Sequence, residues 1–167
     1  MGDGAEAHAL SAIAVGRIAV AAGRESIVMG EDAETTAAAS GGLALGTAAK
    51  SFASNAIALG TRTVASGKNA VAMGAEAQAT GANSISIGTG NVVTGARSGA
   101  IGDPSFIDGD DSYAIGNNNK IAAGTTEAFI LGNNVNLAAG ANRAVALGHN
   151  TGVTVADGVG LGAGRGA

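Results

Sequence analysis

Side chains suited to chemistry are few and scattered in this 167-residue sequence. The two histidines, His8 and His149, are 141 positions apart, and neither has a cysteine or an acidic residue at the spacing of a metal site. We interpret both as ordinary surface residues. No residue is expected to be catalytic or to hold a cofactor or metal.

The richest acidic stretch is GDPSFIDGDDS at 102–112, which contains Asp103, Asp108, Asp110 and Asp111. Carboxylates are calcium ligands, but this stretch lacks the order of acids and the terminal Glu of an EF-hand and does not repeat as a calcium-binding roll does. A solvated loop is the preferred interpretation. Whether the Asp103–Asp111 loop binds an ion is not decided by the sequence.

Composition excludes several classes of function. The net charge is −4, and the nine Lys and Arg residues form no cluster, so the basic patch of a nucleic-acid-binding protein is missing. No apolar run approaches the roughly 18 to 20 residues that span a bilayer, and the first ten residues do not resemble a signal peptide. We therefore expect neither nucleic acid nor direct membrane contact for this chain.

The elements that position these residues follow from an internal repeat. A glycine ends each unit of the form x-I-x-I-G, and we call it the anchor. Successive anchors follow one another at intervals of about 14 to about 16 residues, and such a nearly fixed period predicts about eleven stacked coils. The anchors are Gly16, Gly30, Gly46, Gly60, Gly74, Gly88, Gly102, Gly116, Gly132, Gly148 and Gly162.

Large and small residues alternate with period two before each anchor, which is typical of a strand. A weaker alternation follows the anchor and often closes with another glycine, such as Gly67 or Gly81. Each coil is therefore predicted to contain two short strands of about five residues, with glycines supplying the positive φ angles of the turns. Stacked at the usual interstrand spacing, the coils would form an all-β parallel roll roughly 50 Å long.

The alternation also suggests which face is enclosed. We expect the Ile, Leu and Val residues to fill the space between two sheets, and the small residues between them to form an exposed, flat strip. Such a strip favours association of several copies. The candidate interface residues are Ala56, Ala58, Ala70, Ala72, Ser84 and Ser86.

Three segments carry a resemblance to a known family: NAIALG at 55–60, NAVAMG at 69–74 and NSISIG at 83–88, the last two joined by GAEAQATG. They resemble the NSVAIG unit and the intervening segment of YadA-like heads of trimeric autotransporter adhesins. The resemblance implies a left-handed parallel β-roll, a homotrimer and a location on the outer membrane of a Gram-negative bacterium, facing outwards. It also implies adhesion, associated with virulence, to collagen, fibronectin, laminin or host cell receptors.

We expect the roll to occupy residues 9–167 after a flexible start at 1–8, without the neck, stalk and membrane anchor of that family. One local departure is Gly99, which replaces the usual Ile or Val. We predict that the ring of Tyr113, on the next coil, leans into the space that Gly99 leaves. The groups GNNNK at 116–120 and GNNVN at 132–136 predict stacked turns, because Asn tolerates left-handed backbone.

A candidate ligand surface lies four residues after the anchor, on the outward column of the second strand. Val64, Gln78, Val92 and Phe106 form a shallow stripe there, mostly apolar, which could dock an extended ligand. Isolated apolar residues are also normal on protein surfaces, so the stripe is a hypothesis.

Three functions other than adhesion are alternatives for a repeat of this kind. A structural spacer in a surface fibre has the same sequence pattern. A left-handed β-helix acyltransferase repeats in hexapeptides, so its coils would be longer than those predicted here. An ice-binding solenoid would need a regular threonine ladder, whereas the threonines here occupy several offsets. The repeat therefore favours a non-enzymatic scaffold.

Overall fold

The computed structural model describes residues 2–163, with the side chains of residues 2–162. These residues contain twenty-two short strands and no helix. Each coil contributes one strand to each of two 11-stranded parallel sheets. The predicted all-β, parallel, coiled architecture is thus confirmed, and it is a β-solenoid of about eleven turns.

One sheet holds the strands that reach the anchor glycines, and we call it the anchor sheet. Its strands are β2 (Ile13–Val15), β4 (Ile27–Met29), β6 (Leu43–Leu45), β8 (Ile57–Leu59), β10 (Val71–Met73), β12 (Ile85–Ile87), β14 (Gly99–Ile101), β16 (Tyr113–Ile115), β18 (Phe129–Asn133), β20 (Val145–His149) and β22 (Val159–Ala163).

The other sheet, the second sheet, holds the shorter strands. They are β1 (Glu6–Ala7), β3 (Val20–Ala21), β5 (Glu34–Thr35), β7 (Lys50–Ser51), β9 (Val64–Ala65), β11 (Gln78–Ala79), β13 (Val92–Val93), β15 (Phe106–Ile107), β17 (Lys120–Ile121), β19 (Asn136–Leu137) and β21 (Gly152–Val153).

Most strands are shorter than predicted, because the two turns of a coil take up the remainder. Register follows the repeat: Val71 pairs with Ile57 on one side and Ile85 on the other. The longer coils keep this register by placing their extra residues between a second-sheet strand and the next anchor strand, as between Ile121 and Phe129. Insertions are therefore confined to one edge of the roll.

The start of the roll differs from the predicted boundary. Strand β1 lies at Glu6–Ala7 and pairs with Val20–Ala21, so residues within the predicted flexible start are part of the second sheet. Residues 164–167, the end of the predicted roll, lie outside the described residues.

Two different physical demands explain the glycines. At anchor Gly60, φ is +135°, and an added Cβ would lie 2.6 Å from the carbonyl oxygen of Gly74 on the next coil, so both the backbone angle and the close approach require glycine. Gly81 has no positive φ, contrary to prediction, but its position would bring a Cβ into the backbone of Gly95. The positive φ angles of that turn fall instead on non-glycine residues such as Asn69 and Asn83.

The interior of the roll is lined by the small residues, which reverses the predicted orientation of the anchor sheet. Ala58, Ala72 and Ser86 are fully buried, whereas their large neighbours, such as Leu59 and Met73, are exposed. At most coils the inward residue of the anchor strand is Ala or Ser, with Val28 and Ile130 as buried larger exceptions, and the large residues on either side of it lie on the outer face. Alternation shows that neighbours face opposite sides but not which side is enclosed.

The core changes character along the roll. Up to Ala79 its buried apolar residues are alanines with one exception, Val28. From Val93 onwards the buried residues include Ile107, Ile121 and Leu137. Each additional buried CH2 group contributes about 0.8 kcal/mol, so the C-terminal half has the more stabilising core.

Candidate functional site

The outer face of the anchor sheet presents the largest apolar surface of the described chain. Its side chains come from the third and first positions before each anchor, and we call this surface the apolar strip. Most of the large apolar side chains that are exposed belong to it. The strip contains Ile13, Val15, Ile27, Met29, Leu43, Leu45, Ile57, Leu59, Val71, Met73, Ile85, Ile87, Gly99, Ile101, Tyr113, Ile115, Phe129, Leu131, Val145, Leu147, Val159 and Leu161.

The prediction that the small residues of the anchor strands form the interface is therefore wrong. All six predicted residues have no exposed area and line the interior of the roll: Ala56, Ala58, Ala70, Ala72, Ser84 and Ser86. They cannot contact a second chain, because the coil itself encloses them. On this sheet, the surface that another chain can reach is the apolar strip.

Tyr113 lies beside Gly99 in the register of the anchor sheet. A Cβ on Gly99 would lie 2.7 Å from both Cδ1 and Cε1 of the Tyr113 ring, so the ring occupies the space that a side chain at residue 99 would take. The predicted contact is confirmed, but it occurs on the outer face of the sheet. Gly99 is buried beneath the ring, while Tyr113 itself remains 41% exposed.

The stripe predicted on the second sheet is formed as a continuous column. Gln78 pairs with Val64 and Val92, and Val92 pairs with Phe106. Phe106 is 48% exposed, Gln78 is exposed, and the two valines are half-buried. The structure thus brings the four residues together on the face opposite the apolar strip; whether they bind a ligand stays a prediction.

The aspartates of the 102–112 stretch are divided between the two edges of the roll. The Asp103 carboxylate accepts a hydrogen bond from the backbone N–H of Thr89 at 3.0 Å, and that of Asp108 accepts one from the Thr94 hydroxyl at 2.7 Å. Asp110 accepts the backbone N–H of Ala96 at 2.7 Å. These carboxylates therefore join successive coils, and among residues 2–163 no His, Cys, Asp and Glu side chains form a group that could hold a metal ion.

Arginine pairs with a carboxylate one coil away at several points on the surface. Arg97 donates two hydrogen bonds to Asp111, at 2.5 and 2.6 Å, and Arg143 donates two to Asp157, at 2.6 and 2.8 Å. The hydrogen bond from each guanidinium, and then its charge, lowers the pKa of Asp111 and of Asp157 below the ordinary value of an Asp carboxyl. These pairs join coils on the solvated edge. The sequence analysis did not identify them, although each pair is separated by 14 residues, one period of the repeat.

Asparagines stack as predicted at the turns. The Asn117 backbone N–H donates to the side-chain oxygen of Asn133 at 2.7 Å, and Asn118 and Asn134 have positive φ angles. A second, buried series was not predicted: the side-chain oxygen of Asn91 accepts the N–H of Ser105 at 2.7 Å, and that of Asn119 accepts the N–H of Val135 at 3.1 Å. These side chains satisfy backbone groups inside the roll.

The two histidines lie far apart. His8 is exposed, with its Nε2 atom 2.8 Å from the Glu6 carboxylate, an acidic neighbour that sequence analysis did not identify. His149 is exposed at the end of β20, where it pairs with Asn133 of β18. Neither arrangement brings a nucleophile beside a base.

Comparison with protein families gives a specific match. Residues 37–63, 65–91 and 79–103 match the family model described as "YadA head domain repeat (2 copies)". These matched segments, which make up less than half of the chain, are similar to YadA head domain repeats. The parallel β-solenoid is consistent with a YadA-like head, so the resemblance seen in NAIALG, NAVAMG and NSISIG is confirmed.

A YadA head is an adhesin-type domain of the bacterial cell surface and not a member of an enzyme family. No curated protein matches the chain. Among the described residues, none forms a helix long and apolar enough to span a membrane.

Proposed function

We propose that the chain is the head of a homotrimeric surface adhesin, located on the outer membrane of a Gram-negative bacterium, which attaches the cell to host matrix or host cells without catalysis. The apolar strip is the observation that carries this proposal. It runs the length of the roll, and a soluble single chain rarely exposes so continuous an apolar surface. The YadA head repeats support the same assembly.

Copies of the same chain are the occupant that best suits the apolar strip. The strip is nearly uniform from coil to coil, so the same surface is offered at every level of each copy. A closed rotational assembly brings equivalent surfaces to one axis. The core up to Ala79 is rich in alanine, so that half of the chain buries few large side chains by itself. Burial of the apolar strip between copies would add the stability that this core lacks.

The second sheet then faces outwards in every copy and carries the binding function. Three copies display three stripes of Val64, Gln78, Val92 and Phe106, so that weak contacts combine through avidity. The stripe is flat and mostly apolar, which suits an extended protein such as collagen, and fibronectin, laminin and host cell receptors are the other proposed partners.

Solid-phase binding to collagens, fibronectin, laminin and epithelial cells tests this function. We expect binding by the purified wild-type protein and at least a tenfold loss for the double variant Val92→Glu and Phe106→Glu, because carboxylates would have to be desolvated against the ligand. Asn136→Glu is the matched control, since it adds a carboxylate in the same column outside the stripe.

Each outcome of this experiment has a distinct meaning. Equal loss in the double variant and in Asn136→Glu would show that charge, and not the stripe, controls binding. Full binding by the double variant would place the ligand site elsewhere on the head. If the wild-type protein bound none of the panel, the adhesive role would be replaced by that of a spacer in a surface fibre.

A further inference from the structure

The apolar strip has one irregular point, at the coils that contain Gly99 and Tyr113. At all other coils, both strip positions carry a medium or large apolar side chain. At Gly99 the side chain is missing, and the Tyr113 ring from the following coil covers the gap. Tyr113 also carries the only hydroxyl group of the strip.

A uniform strip does not define how two copies align along the axis of the roll. If one copy moves by one coil, about 4.8 Å, apolar side chains again meet apolar side chains. Strand registers are likewise poorly specified wherever neighbouring positions are equivalent. Only the exposed coils at the two ends oppose such a slip, and they are a small part of an eleven-coil surface.

The phenol at Tyr113 removes this equivalence. Its ring is directed over Gly99 of its own chain, and its hydroxyl has no hydrogen-bond partner among the described residues. When the strip is covered by another copy, a buried hydroxyl requires a partner. In the aligned assembly, the equivalent hydroxyl groups of the copies lie at the same height. In an assembly slipped by one coil, each Tyr113 lies level with Gly99 or Phe129 of a neighbouring copy, and neither residue has a side chain that can form a hydrogen bond with the hydroxyl.

We propose that the Gly99–Tyr113 step sets the axial register of the assembly, with the partner being second and third copies of this chain. This inference rests on the proposed homotrimer. In the aligned state the Tyr113 hydroxyl groups hydrogen-bond to one another around the axis. Tyr113 is thus a positioning residue of the interface, comparable to a polar residue that fixes register in a coiled coil.

The methionines provide a direct readout of register. Met29 and Met73 lie in the apolar strip, and the sequence contains only one other methionine, Met1. In an aligned, symmetric trimer all copies are equivalent, so each strip methionine labelled with a 13C methyl group gives one NMR signal. A slipped trimer contains inequivalent copies and gives several signals for each methionine.

The decisive variant is Gly99→Val with Tyr113→Val, which places at both positions the valine found at the same strip position in Val71 and Val145. After unfolding and refolding, we expect one signal each for Met29 and Met73 in the wild-type trimer and additional signals for both in the double variant. Ile85→Val, at the same strip position on the preceding coil, is the control and should give single signals. Tyr113→Phe separates the hydroxyl from the shape of the ring and should also show additional signals.

The outcomes separate this inference from the proposed function. A wild-type trimer with single signals and a double variant that is also a trimer with single signals would overturn the role of Tyr113 and leave the trimer intact. A wild-type mass equal to one chain of 15.7 kDa by light scattering would overturn both. Circular dichroism verifies that each variant keeps its β structure.

Discussion

Two isoleucines six residues apart test the orientation of the roll. Ile121 is fully buried in the core, and Ile115 is 39% exposed on the apolar strip. We expect Ile121→Ala to lower the free energy of unfolding by about 2 to 5 kcal/mol, the usual cost of removing a buried Ile side chain together with the cavity that remains. This loss should not depend on protein concentration.

Ile115→Ala should act mainly on assembly. Complete burial of an Ile side chain contributes about 1.5 to 3 kcal/mol, so covering the 39% that is exposed in one chain contributes roughly 0.6 to 1.2 kcal/mol per copy. For three copies the loss is about 1.8 to 3.6 kcal/mol, or roughly 20- to 400-fold in the assembly constant.

Urea unfolding by circular dichroism, at several protein concentrations, measures the first effect, and light scattering over a dilution series measures the second. Stability that is linked to assembly depends on protein concentration. Ile115→Ala should therefore move assembly to higher protein concentration than in the wild type, while Ile121→Ala should lower the free energy of unfolding at every concentration. The orientation of the core would be refuted if Ile121→Ala were neutral and Ile115→Ala gave, in the isolated chain, the loss expected of a buried position.

Three further predictions concern glycines, ion pairs and the core. Gly81→Ala should lower the melting temperature more than Gly124→Ala. A Cβ on Gly81 would clash with the backbone of the next coil, whereas a Cβ on Gly124 has no close neighbour and only its φ of +79° is strained. Equal losses would argue against close backbone approach as the reason for glycine at residue 81. The pKa of Asp157 is lowered in the folded chain by the hydrogen bond from Arg143, so the pair stabilises the fold above the unfolded Asp pKa of about 3.9, and that contribution disappears as pH falls further. The substitution Arg143→Gln should therefore reduce the urea midpoint at pH 7 and have a smaller effect as pH falls through the lowered pKa of Asp157. An equal reduction at pH 7 and at pH 2 would contradict the role of the charge. Hydrogen exchange should be slower in strands β15–β19 than in β3–β9, since the former surround the Ile and Leu core; uniform protection would contradict the difference between the two halves.

Much of the fold follows from the repeat itself. The regular spacing of the anchors and a period-two alternation require short strands and tight turns, and stacking of identical units requires parallel pairing. The contact between Gly99 and Tyr113 was predictable because equal spacing places the two residues side by side. The stripe of Val64, Gln78, Val92 and Phe106 was predictable for the same reason.

The sequence did not determine which face of the anchor strands is enclosed. Alternation is symmetrical with respect to the two faces, and the general preference of large apolar residues for the interior led to the wrong face. The tertiary structure decided it: closure of each coil places the small middle residue of most anchor strands inside, as at Ala58 and Ala72. The large side chains therefore lie outside, where only another chain can bury them.

The sequence by itself determined the repeat, its period, the strand pairing and the residues that share a column, since each of these depends only on spacing along the chain. The tertiary structure decided what depends on closure of the coil: the inside and outside of each strand, and the buried role of Asn91 and Asn119. When the coil closes, side-chain volume and hydrogen bonding decide which residues lie inside. The period of the repeat contains no information on either of these.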